Sequence, residues 1–294
     1  MIRVAIVGPG AIGGTVAAWL AQNRALEVSI CARTAFGALV LDAPDGRIEA
    51  TLPVHTDPGA PGPVDWVLVC TKTYDADGAA AWLRRLAGPE MRVAILQNGV
   101  EHVERFAPFL ARERLLPAVV NIPAERTAPG RMRQRRHGAI TVPAGPAGDE
   151  FVRLFAEAPI AVTTTEDFLS AAWEKLVLNC TGAVNALTLQ PNGIVHAPGI
   201  ADLMHALMAE CIAVGRAEGA RLSDDLADRV IDGCRRGPSE SINSMHADRI
   251  AGRQMEVDAR NGVIVRRGAQ HNIAAPLNAL MATLLDAAQS RTTS

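Results

Sequence analysis

The chain has 294 residues, of which 49% are hydrophobic and 20% are charged, and its formal net charge is −2. This length predicts about two domains with substantial cores, the balanced charge is unlike that of a nucleic-acid-binding protein, and no apolar run reaches the roughly 18 residues of a membrane span. Five widely spaced cysteines without a Cys-x-x-Cys pair predict buried thiols in a reducing cytoplasm, and neither they nor the seven histidines show metal-ligand spacing.

The first predicted strand–turn–helix unit lies at the start of the chain. Residues 3–7 form a short run that is apolar after Arg3 and rich in β-branched side chains, as in a buried parallel strand, and residues 15–22 favour a helix. Gly8 permits a tight turn between them, Gly10 lets the backbone approach a pyrophosphate, and Gly13 lets helix and strand pack closely. The positions predicted to bind a dinucleotide cofactor are Gly8, Gly10, Ala11, Ile12 and Gly13.

Two alternative roles for this segment fit the sequence less well. Arg3 followed by apolar residues suggests a signal peptide, but the Gly-Pro-Gly interruption at residues 8–10 spoils the continuous apolar region. A tight turn that holds no ligand is the second alternative. The position of the glycines between a predicted strand and a predicted helix favours the cofactor-binding turn instead.

The residue that follows the second predicted strand indicates whether the cofactor's ribose carries a 2′-hydroxyl or a 2′-phosphate. That strand is predicted over residues 26–31, and Ala32, Arg33 and Thr34 follow it. An Asp or Glu about twenty residues after the glycine turn would accept a hydrogen bond from the 2′-hydroxyl of NAD. Arg33 suits a 2′-phosphate instead, so the sequence predicts NADPH rather than NADH.

Polar residues follow two further predicted strands. Lys72 comes after a strand over residues 65–70, and Asn98 follows a strand over residues 92–96. Ligands of open α/β sheets bind beyond the carboxyl ends of the strands. We therefore expect Lys72 to meet a cofactor phosphate or an anionic substrate, and the Asn98 amide to orient a carbonyl or the nicotinamide ribose. The alternative for Asn98 is that it only forms a turn.

The remaining elements divide the chain near residue 165. Strands over 131–136 and 137–143 are predicted to help close the sheet and to form an antiparallel hairpin. The basic run within them is interpreted as a solvated strand face rather than a nucleic-acid site. From residue 165 onward helical periodicity dominates. Other predicted elements are a strand over 115–121, a helix over 151–158 and a strand over 160–164.

Residues 173–185, WEKLVLNCTGAVN, are predicted to form a helix with Lys175 and Asn179 on one face, at positions i and i+4. An ammonium beside a carboxamide suits a polarised carbonyl oxygen. The alternative is a surface lysine near a capping asparagine. Among the 29 basic residues only Lys72 and Lys175 are lysines, which indicates positions that need a compact ammonium or one that can release a proton.

In order and spacing, the motifs resemble the ketopantoate reductase (2-dehydropantoate 2-reductase) family. The matching segments are GPGAIGG, Lys72, QNG at 97–99, WEKLVLN at 173–179, PNG at 191–193, and SMHAD, GR, MEVD and NG over 244–262. The resemblance implies an α/β, Rossmann-type NADPH-binding domain over residues 1–165 and an all-helical substrate domain over residues 166–294. It implies reduction of ketopantoate to pantoate in pantothenate biosynthesis, with NADPH and substrate in a cleft between the domains.

The resemblance also implies roles for individual residues. Lys175 is the general acid, and Glu256 helps to hold the substrate hydroxyl and the cofactor. Arg33 and Lys72 match the region that receives the adenosine phosphate, and Asn98 and Glu256 are also expected to contact the cofactor. Positions that match the lining of the substrate site are Asn98, Asn179, Asn192 and Ser244.

The chain departs from the family pattern after Asn179. Where the family often carries a second asparagine, eight residues after Lys175, this chain has Ala183. Asn185 is a candidate substitute for substrate binding, and the preceding Thr181-Gly182 predicts a local irregularity or altered register of the helix. Two alternative functions remain open: reduction of another branched 2-oxo acid, and a sensor that binds NADPH without turnover. A homodimer is also left open.

Overall fold

A computed structural model describes residues 1–290 and divides the chain into two compact units. The first comprises Met1–Gln97 and Glu101–Phe168, and the second comprises Asn98–Val100 and the chain from Leu169 onward. The first unit contains the strands β1 (Ile2–Val7), β2 (Leu26–Cys31), β3 (Leu39–Ala43), β4 (Gly46–Ala50), β5 (Val54–His55), β6 (Trp66–Val69), β7 (Arg92–Ile95), β8 (Leu115–Pro117), β9 (Val119–Asn121), β10 (Ala124–Ala128), β11 (Arg131–Gln134), β12 (Ala139–Pro143) and β13 (Ala161–Thr165). Its helices are α1 (Ala11–Leu20), α2 (Ala76–Leu86), α3 (His102–Phe106) and α4 (Pro146–Leu154).

The main sheet of the first unit is parallel, with strand order β5-β2-β1-β6-β7-β8. Strand β1 lies in its interior and is covered on both faces. Val4 and Ile6 belong to the same apolar cluster as residues of α1, whereas Ala5 and Val7 belong to the cluster that contains residues of α2. A strand buried on both faces needs a continuous apolar run rather than alternation. The predicted α/β, Rossmann-type fold is confirmed.

The later strands form two small sheets instead of extending the main one. Strand β11 pairs antiparallel with β10 and parallel with β3, and β12 pairs with β9 and β13. The predicted hairpin of residues 131–136 with 137–143 is therefore wrong. The hairpin in this part of the chain is instead formed by β10 and β11, and its turn lies at Pro129-Gly130. There Gly130 adopts a φ of +71°, which glycine accommodates without strain. The predicted strand over 115–121 is divided at Ala118 into β8, which pairs with β7, and β9, which pairs with β12.

The basic run forms one face of β11. Arg131 and Arg133 are exposed, whereas Met132 and Gln134 are buried. On the buried face, the Gln134 side-chain oxygen accepts a hydrogen bond of 2.8 Å from the indole of Trp19 in α1. The alternation is that of a strand with one solvated face, as the sequence predicted.

The second unit is helical and has one apolar cluster. Helix α5 runs without interruption through Thr181 and Gly182, so the predicted irregularity is wrong. A Cβ at Gly182 would lie 3.1 Å from the Asn243 side chain, so glycine makes room for that side chain instead of breaking the helix. In the described part of the chain, no helix is long and apolar enough to cross a bilayer. The helices are α5 (Phe168–Thr188), α6 (Ile200–Ala217), α7 (Leu226–Arg236), α8 (Ser244–Ile250), α9 (Val263–Gln270) and α10 (Pro276–Ser290).

Candidate active site

The glycine turn after β1 needs its glycines for different reasons. The Gly8 amide donates to the Cys31 carbonyl at 3.0 Å, and a Cβ at Gly8, whose φ is +91°, would lie 2.9 Å from the Thr71 backbone nitrogen. A Cβ at Gly13 would collide with the Gly8 carbonyl oxygen. At Gly10 a Cβ would meet no atom of the described residues within 4 Å. Gly8 and Gly13 are thus required by the fold, whereas Gly10 borders open space.

The N-terminus of α1 suits an anion. Gly10 is its N-cap and offers no side-chain cap, and the first turn contains no acidic residue. The first amides of a helix have no acceptor within it, so those of Ala11 and Ile12 are available for hydrogen bonds to a phosphate, which the helix dipole also favours. The turn therefore fits the pyrophosphate of a dinucleotide.

Two basic residues lie at the same edge of the main sheet as this turn. Arg33 is exposed just beyond β2, and Lys72 is half-buried just beyond β6. Because β2 and β6 are the parallel neighbours of β1, their carboxyl ends and the glycine turn share one edge. Arg33 and Lys72 therefore flank the turn, as expected for groups that bind phosphates on either side of it.

Gln97 secures this edge, a role that its sequence context does not predict. Its side-chain amide donates to the carbonyl oxygens of Thr71 at 3.0 Å and of Lys72 at 3.3 Å, and Gln97 itself is buried. The amide thereby connects the chain after β7 to the segment that carries Lys72. The motif Gln-Asn-Gly was visible in the sequence, but the direction of the Gln97 side chain was not.

A chain of hydrogen bonds joins three predicted residues of the second unit. The Asn98 amide donates to Glu256 Oε2 at 2.9 Å, and the Asn179 amide donates to Asn98 Oδ1 at 3.4 Å. Glu256 is only 4% exposed. Gly99, with a φ of +94°, passes so close to Ala259 that a Cβ would lie 2.9 Å from its carbonyl oxygen. Asn98 thus reaches the helical residues because glycine follows it.

Lys175 lies on α5 one turn before Asn179 and is half-buried. Burial lowers the pKa of Lys175 to about 8, because a charged ammonium loses hydration, and the nearby positive charge of Arg260 lowers it further. At neutral pH the side chain remains largely protonated, yet it can release its proton more easily than an exposed lysine. These are the properties of a general acid.

Ser244 begins α8, and its hydroxyl oxygen accepts a hydrogen bond of 2.6 Å from Arg260 Nη2. Arg260 is 2% exposed; burial lowers the pKa of its guanidinium, while the negative charges of Glu256 and Asp248 oppose that effect. Sequence patterns did not identify Arg260. In a chain whose cations are nearly all arginine, nothing distinguished this one from a solvated residue.

The other two predicted asparagines bind backbone carbonyls. The Asn185 amide donates to the carbonyls of Gln190 at 3.0 Å and Pro191 at 3.2 Å. The Asn192 amide donates to the Cys234 carbonyl at 2.6 Å. Six residues beyond Asn179, Asn185 is turned about 240° around the helix axis. The substrate-binding roles of Asn185 and Asn192 stay predictions. The hydrogen bonds of Asn185 hold the loop after α5, and that of Asn192 joins the same segment to the last turn of α7.

The fold and these two groups of residues define the class of dinucleotide-dependent oxidoreductases. Residues 4–147 match the family model "Ketopantoate reductase PanE/ApbA", and residues 167–289 match "Ketopantoate reductase PanE/ApbA C terminal". The chain belongs to the ketopantoate reductase family, and the resemblance of its motifs is confirmed.

Individual relatives are similar along their whole length. A 2-dehydropantoate 2-reductase of Caulobacter vibrioides is 60% identical over 98% of this chain and 99% of its own. A PanE/ApbA family ketopantoate reductase structure from Ralstonia eutropha JMP134 has a TM-score of 0.92 and 33% identity, with 100% of both chains covered. The dimeric ketopantoate reductase structure of Staphylococcus aureus has a TM-score of 0.89 and 26% identity over 99% of this chain and 100% of its own.

The glycine turn generates a paired prediction. Gly10→Ala should fold with a normal melting temperature, because its Cβ meets open space, but should weaken NADPH binding at least about tenfold by obstructing the pyrophosphate. Gly13→Ala should lower the free energy of unfolding by about 1–3 kcal/mol, as overpacking does. Thermal denaturation and fluorescence titration with NADPH measure the two effects. An unchanged NADPH dissociation constant in Gly10→Ala would show that the phosphates bind elsewhere.

Proposed function

We propose that this chain catalyses the NADPH-dependent reduction of 2-dehydropantoate to pantoate, the reductive step of pantothenate biosynthesis. One observation carries the proposal: Lys175, whose pKa is lowered to about 8, shares a helix face with Asn179, and Asn179 is linked through Asn98 to Glu256. A proton donor thus belongs to the same unit as amides that orient a carbonyl and a carboxylate that accepts from a hydroxyl. Family membership and the 60% identical relative support the same activity.

The roles of the residues follow from their chemistry. NADPH, when bound, supplies the hydride that adds to the keto carbon of the substrate. Lys175 Nζ donates its proton to the oxygen of that carbon, so the carbonyl becomes a hydroxyl and the lysine is left neutral. Before the transfer its positive charge stabilises the developing alkoxide. Asn98 and Asn179 orient the carbonyl, and the Glu256 carboxylate accepts a hydrogen bond from the substrate hydroxyl.

The cofactor is assigned to residues 1–165 and the substrate to residues 166–294, with Asn98 joining the second group. Gly8, Gly10, Ala11, Ile12 and Gly13 would hold the pyrophosphate, because Gly10 leaves space and the helix amides point outward. Arg33 would pair with the 2′-phosphate, and Lys72 with a phosphate across the turn. The family models end and begin at residues 147 and 167, which supports this division.

A substrate panel tests the proposal directly. Oxidation of NADPH is followed with 2-dehydropantoate, its deoxy analogue without the hydroxyl, and other branched 2-oxo acids. The expected result is a much higher kcat/KM for 2-dehydropantoate, since loss of the hydroxyl leaves buried polar groups unpaired. Comparable efficiency with the deoxy analogue would replace the proposal by a general 2-oxo acid reductase. Tight NADPH binding without any turnover would indicate a sensor.

Lys175 should carry the proton transfer. Lys175→Ala should lower kcat by roughly 10²–10⁴, the usual contribution of a general acid, with NADPH affinity nearly unchanged. In the wild type, kcat/KM should fall as pH rises through about 8, because the ammonium that donates the proton is lost above its pKa. Stopped-flow measurement of NADPH oxidation between about pH 6 and pH 10 checks both statements.

Two variants control that experiment. Lys175→Arg keeps the positive charge but cannot readily donate a proton, so it should recover substrate binding, recover little turnover and lose the alkaline limb. Glu174→Ala removes an exposed neighbour on the same helix and should behave as the wild type. Near-normal turnover of Lys175→Arg with the same alkaline limb would mean that Lys175 only anchors charge and another group supplies the proton.

Arg33 should account for part of the preference for NADPH. Arg33→Ala should raise the KM for NADPH about ten- to a hundredfold, which corresponds to about 1.5–3 kcal/mol for a charged hydrogen bond, and should leave NADH kinetics nearly unchanged. Arg47→Ala, which removes another exposed arginine of the same unit, is the matched control. Equal losses with NADPH and NADH would assign Arg33 a structural role.

The assembly state and the cellular location complete the proposal. The Staphylococcus aureus relative is dimeric, and we expect the same state for this chain in solution, measured by light scattering coupled to gel filtration. A monomer at micromolar concentration would contradict it. The cytoplasmic location inferred from cysteine spacing stays a prediction.

A further inference from the structure

Arg260 is a buried cation to which the proposed reaction gives no task. The residue is 2% exposed, yet its Nε atom has no hydrogen-bond partner among the described residues. Burying an arginine with an unpartnered N–H costs free energy. We therefore expect the guanidinium to have an interaction with a neighbouring group that offsets this cost. The Ser244 hydroxyl is such a neighbour, 2.6 Å from Arg260 Nη2.

The direction of that hydrogen bond constrains Ser244. A guanidinium has only donors, and a hydroxyl can both donate and accept. The Ser244 oxygen must therefore accept from Arg260, and the Ser244 O–H is left to donate elsewhere. Ser244 is itself exposed at the start of α8, whereas Arg260 lies buried behind it. The hydroxyl thus offers a donor toward the surface, and the adjacent positive charge makes it a stronger one.

The carboxylate of Glu256 has the opposite hydrogen-bonding role, that of an acceptor. Glu256 accepts from the Asn98 amide, and an ionised carboxylate can only accept hydrogen bonds. A 2-oxo acid that carries a hydroxyl has one end that accepts, its carboxylate, and one that donates, its hydroxyl. Ser244 and Glu256 are thus complementary to different ends of the same molecule.

We propose that Arg260 is a positioning residue, which fixes Ser244 as a donor to the substrate carboxylate. The inference rests on the proposed function only in taking a 2-oxo acid as substrate. It concerns the carboxylate, which every 2-oxo acid has, so it can be tested whichever of them the enzyme reduces.

A purely structural role as a counter-ion is the competing hypothesis. The charged groups around Arg260 are Glu256, Asp248 and Lys175, and the Cys180 thiol also interacts with it. Glu256 already has the Asn98 amide, and the Asp248 carboxylate accepts from Arg253 Nε at 2.9 Å. Neither carboxylate depends on Arg260 alone, so the hydrogen bond to the Ser244 oxygen is the contact that sets this arginine apart.

The test compares Arg260→Leu, Arg260→Lys and Ser244→Ala with the double variant. Arg260→Leu should raise the KM for the 2-oxo acid about ten- to fiftyfold with a much smaller change in kcat. The factor should be the same for 2-dehydropantoate and for its deoxy analogue, because the hydroxyl is not involved. In the Ser244→Ala background, Arg260→Leu should add less than about twofold. Arg260→Lys should recover part of the loss.

Two further measurements separate positioning from stability. Arg253→Leu removes the other arginine beside Asp248 without touching Ser244 and should leave the KM unchanged. Binding of pantoate with NADP⁺, measured by calorimetry, should weaken by the same factor as the KM rises, and it reports on Arg260 even without turnover.

The results that would contradict this inference differ from those that would contradict the proposed function. If the wild type reduces only another 2-oxo acid, the proposed substrate is wrong and the Arg260 comparison is made with that acid. Additive effects of Arg260→Leu and Ser244→Ala, an equal effect of Arg253→Leu, or a lower melting temperature with unchanged KM would each overturn the inference. Should Arg260→Leu fail to fold, Arg260→Lys with Ser244→Ala completes the same cycle, and additivity there overturns it equally.

Discussion

The burial of the Glu256 carboxylate is the constraint on which the polar site of the helical unit depends. An ionised carboxylate out of contact with water costs several kcal/mol unless hydrogen bonds and opposite charge compensate it. Asn98 supplies a hydrogen bond of 2.9 Å from 158 residues away in sequence, and the positive charge of Arg260 also interacts with Glu256. Asn179 in turn bonds Asn98. Compensating one buried charge therefore assembles residues from three separate segments of the chain.

Burial and the charge of Arg260 set the proton affinity of Lys175. Burial lowers the pKa of Lys175 to about 8, and Arg260, as a like charge nearby, lowers it further. A general acid works best when its pKa lies near the operating pH. Burial and the neighbouring cation thus together bring the pKa of Lys175 toward the range in which a general acid operates.

Sequence patterns predicted the first unit where the pattern and the physical requirement coincide. Residues 4–7 of β1 are all apolar because both faces are buried there, and Gly8 and Gly13 each have a steric reason that a spacing rule captures. The hairpin prediction failed because β11 has other partners. It pairs with β10 across the Pro-Gly turn at residues 129–130, and with β3, which is distant in sequence. Such pairing depends on tertiary contacts, which local propensity does not record.

In the helical unit, the residue types were predictable and their partners were not. Lys175 and Asn179 follow from helical spacing alone, and Ser244 and Glu256 were identified through family motifs. Gly182 suggested a broken helix, yet it makes room for Asn243, which accepts from the His246 amide at 3.0 Å and so caps α8. An asparagine before a helix is a readable capping signal, but its second contact, with the Asn185 side chain at 3.3 Å, exists only in the folded chain.

The position of Arg260 has a further local cause, which the sequence could not disclose. Residues Asp258–Gly262 form a π-helical turn directly before α9. Its i→i+5 hydrogen bonds widen the helix, and such turns occur frequently at functional sites. Arg260 and Asn261 are both buried there; the Asn261 amide donates to the Cys180 carbonyl at 3.1 Å, which fixes this turn against the helix that carries Lys175. The wide turn thus directs two consecutive polar side chains inward, where a cation can act on Ser244 and Lys175 together.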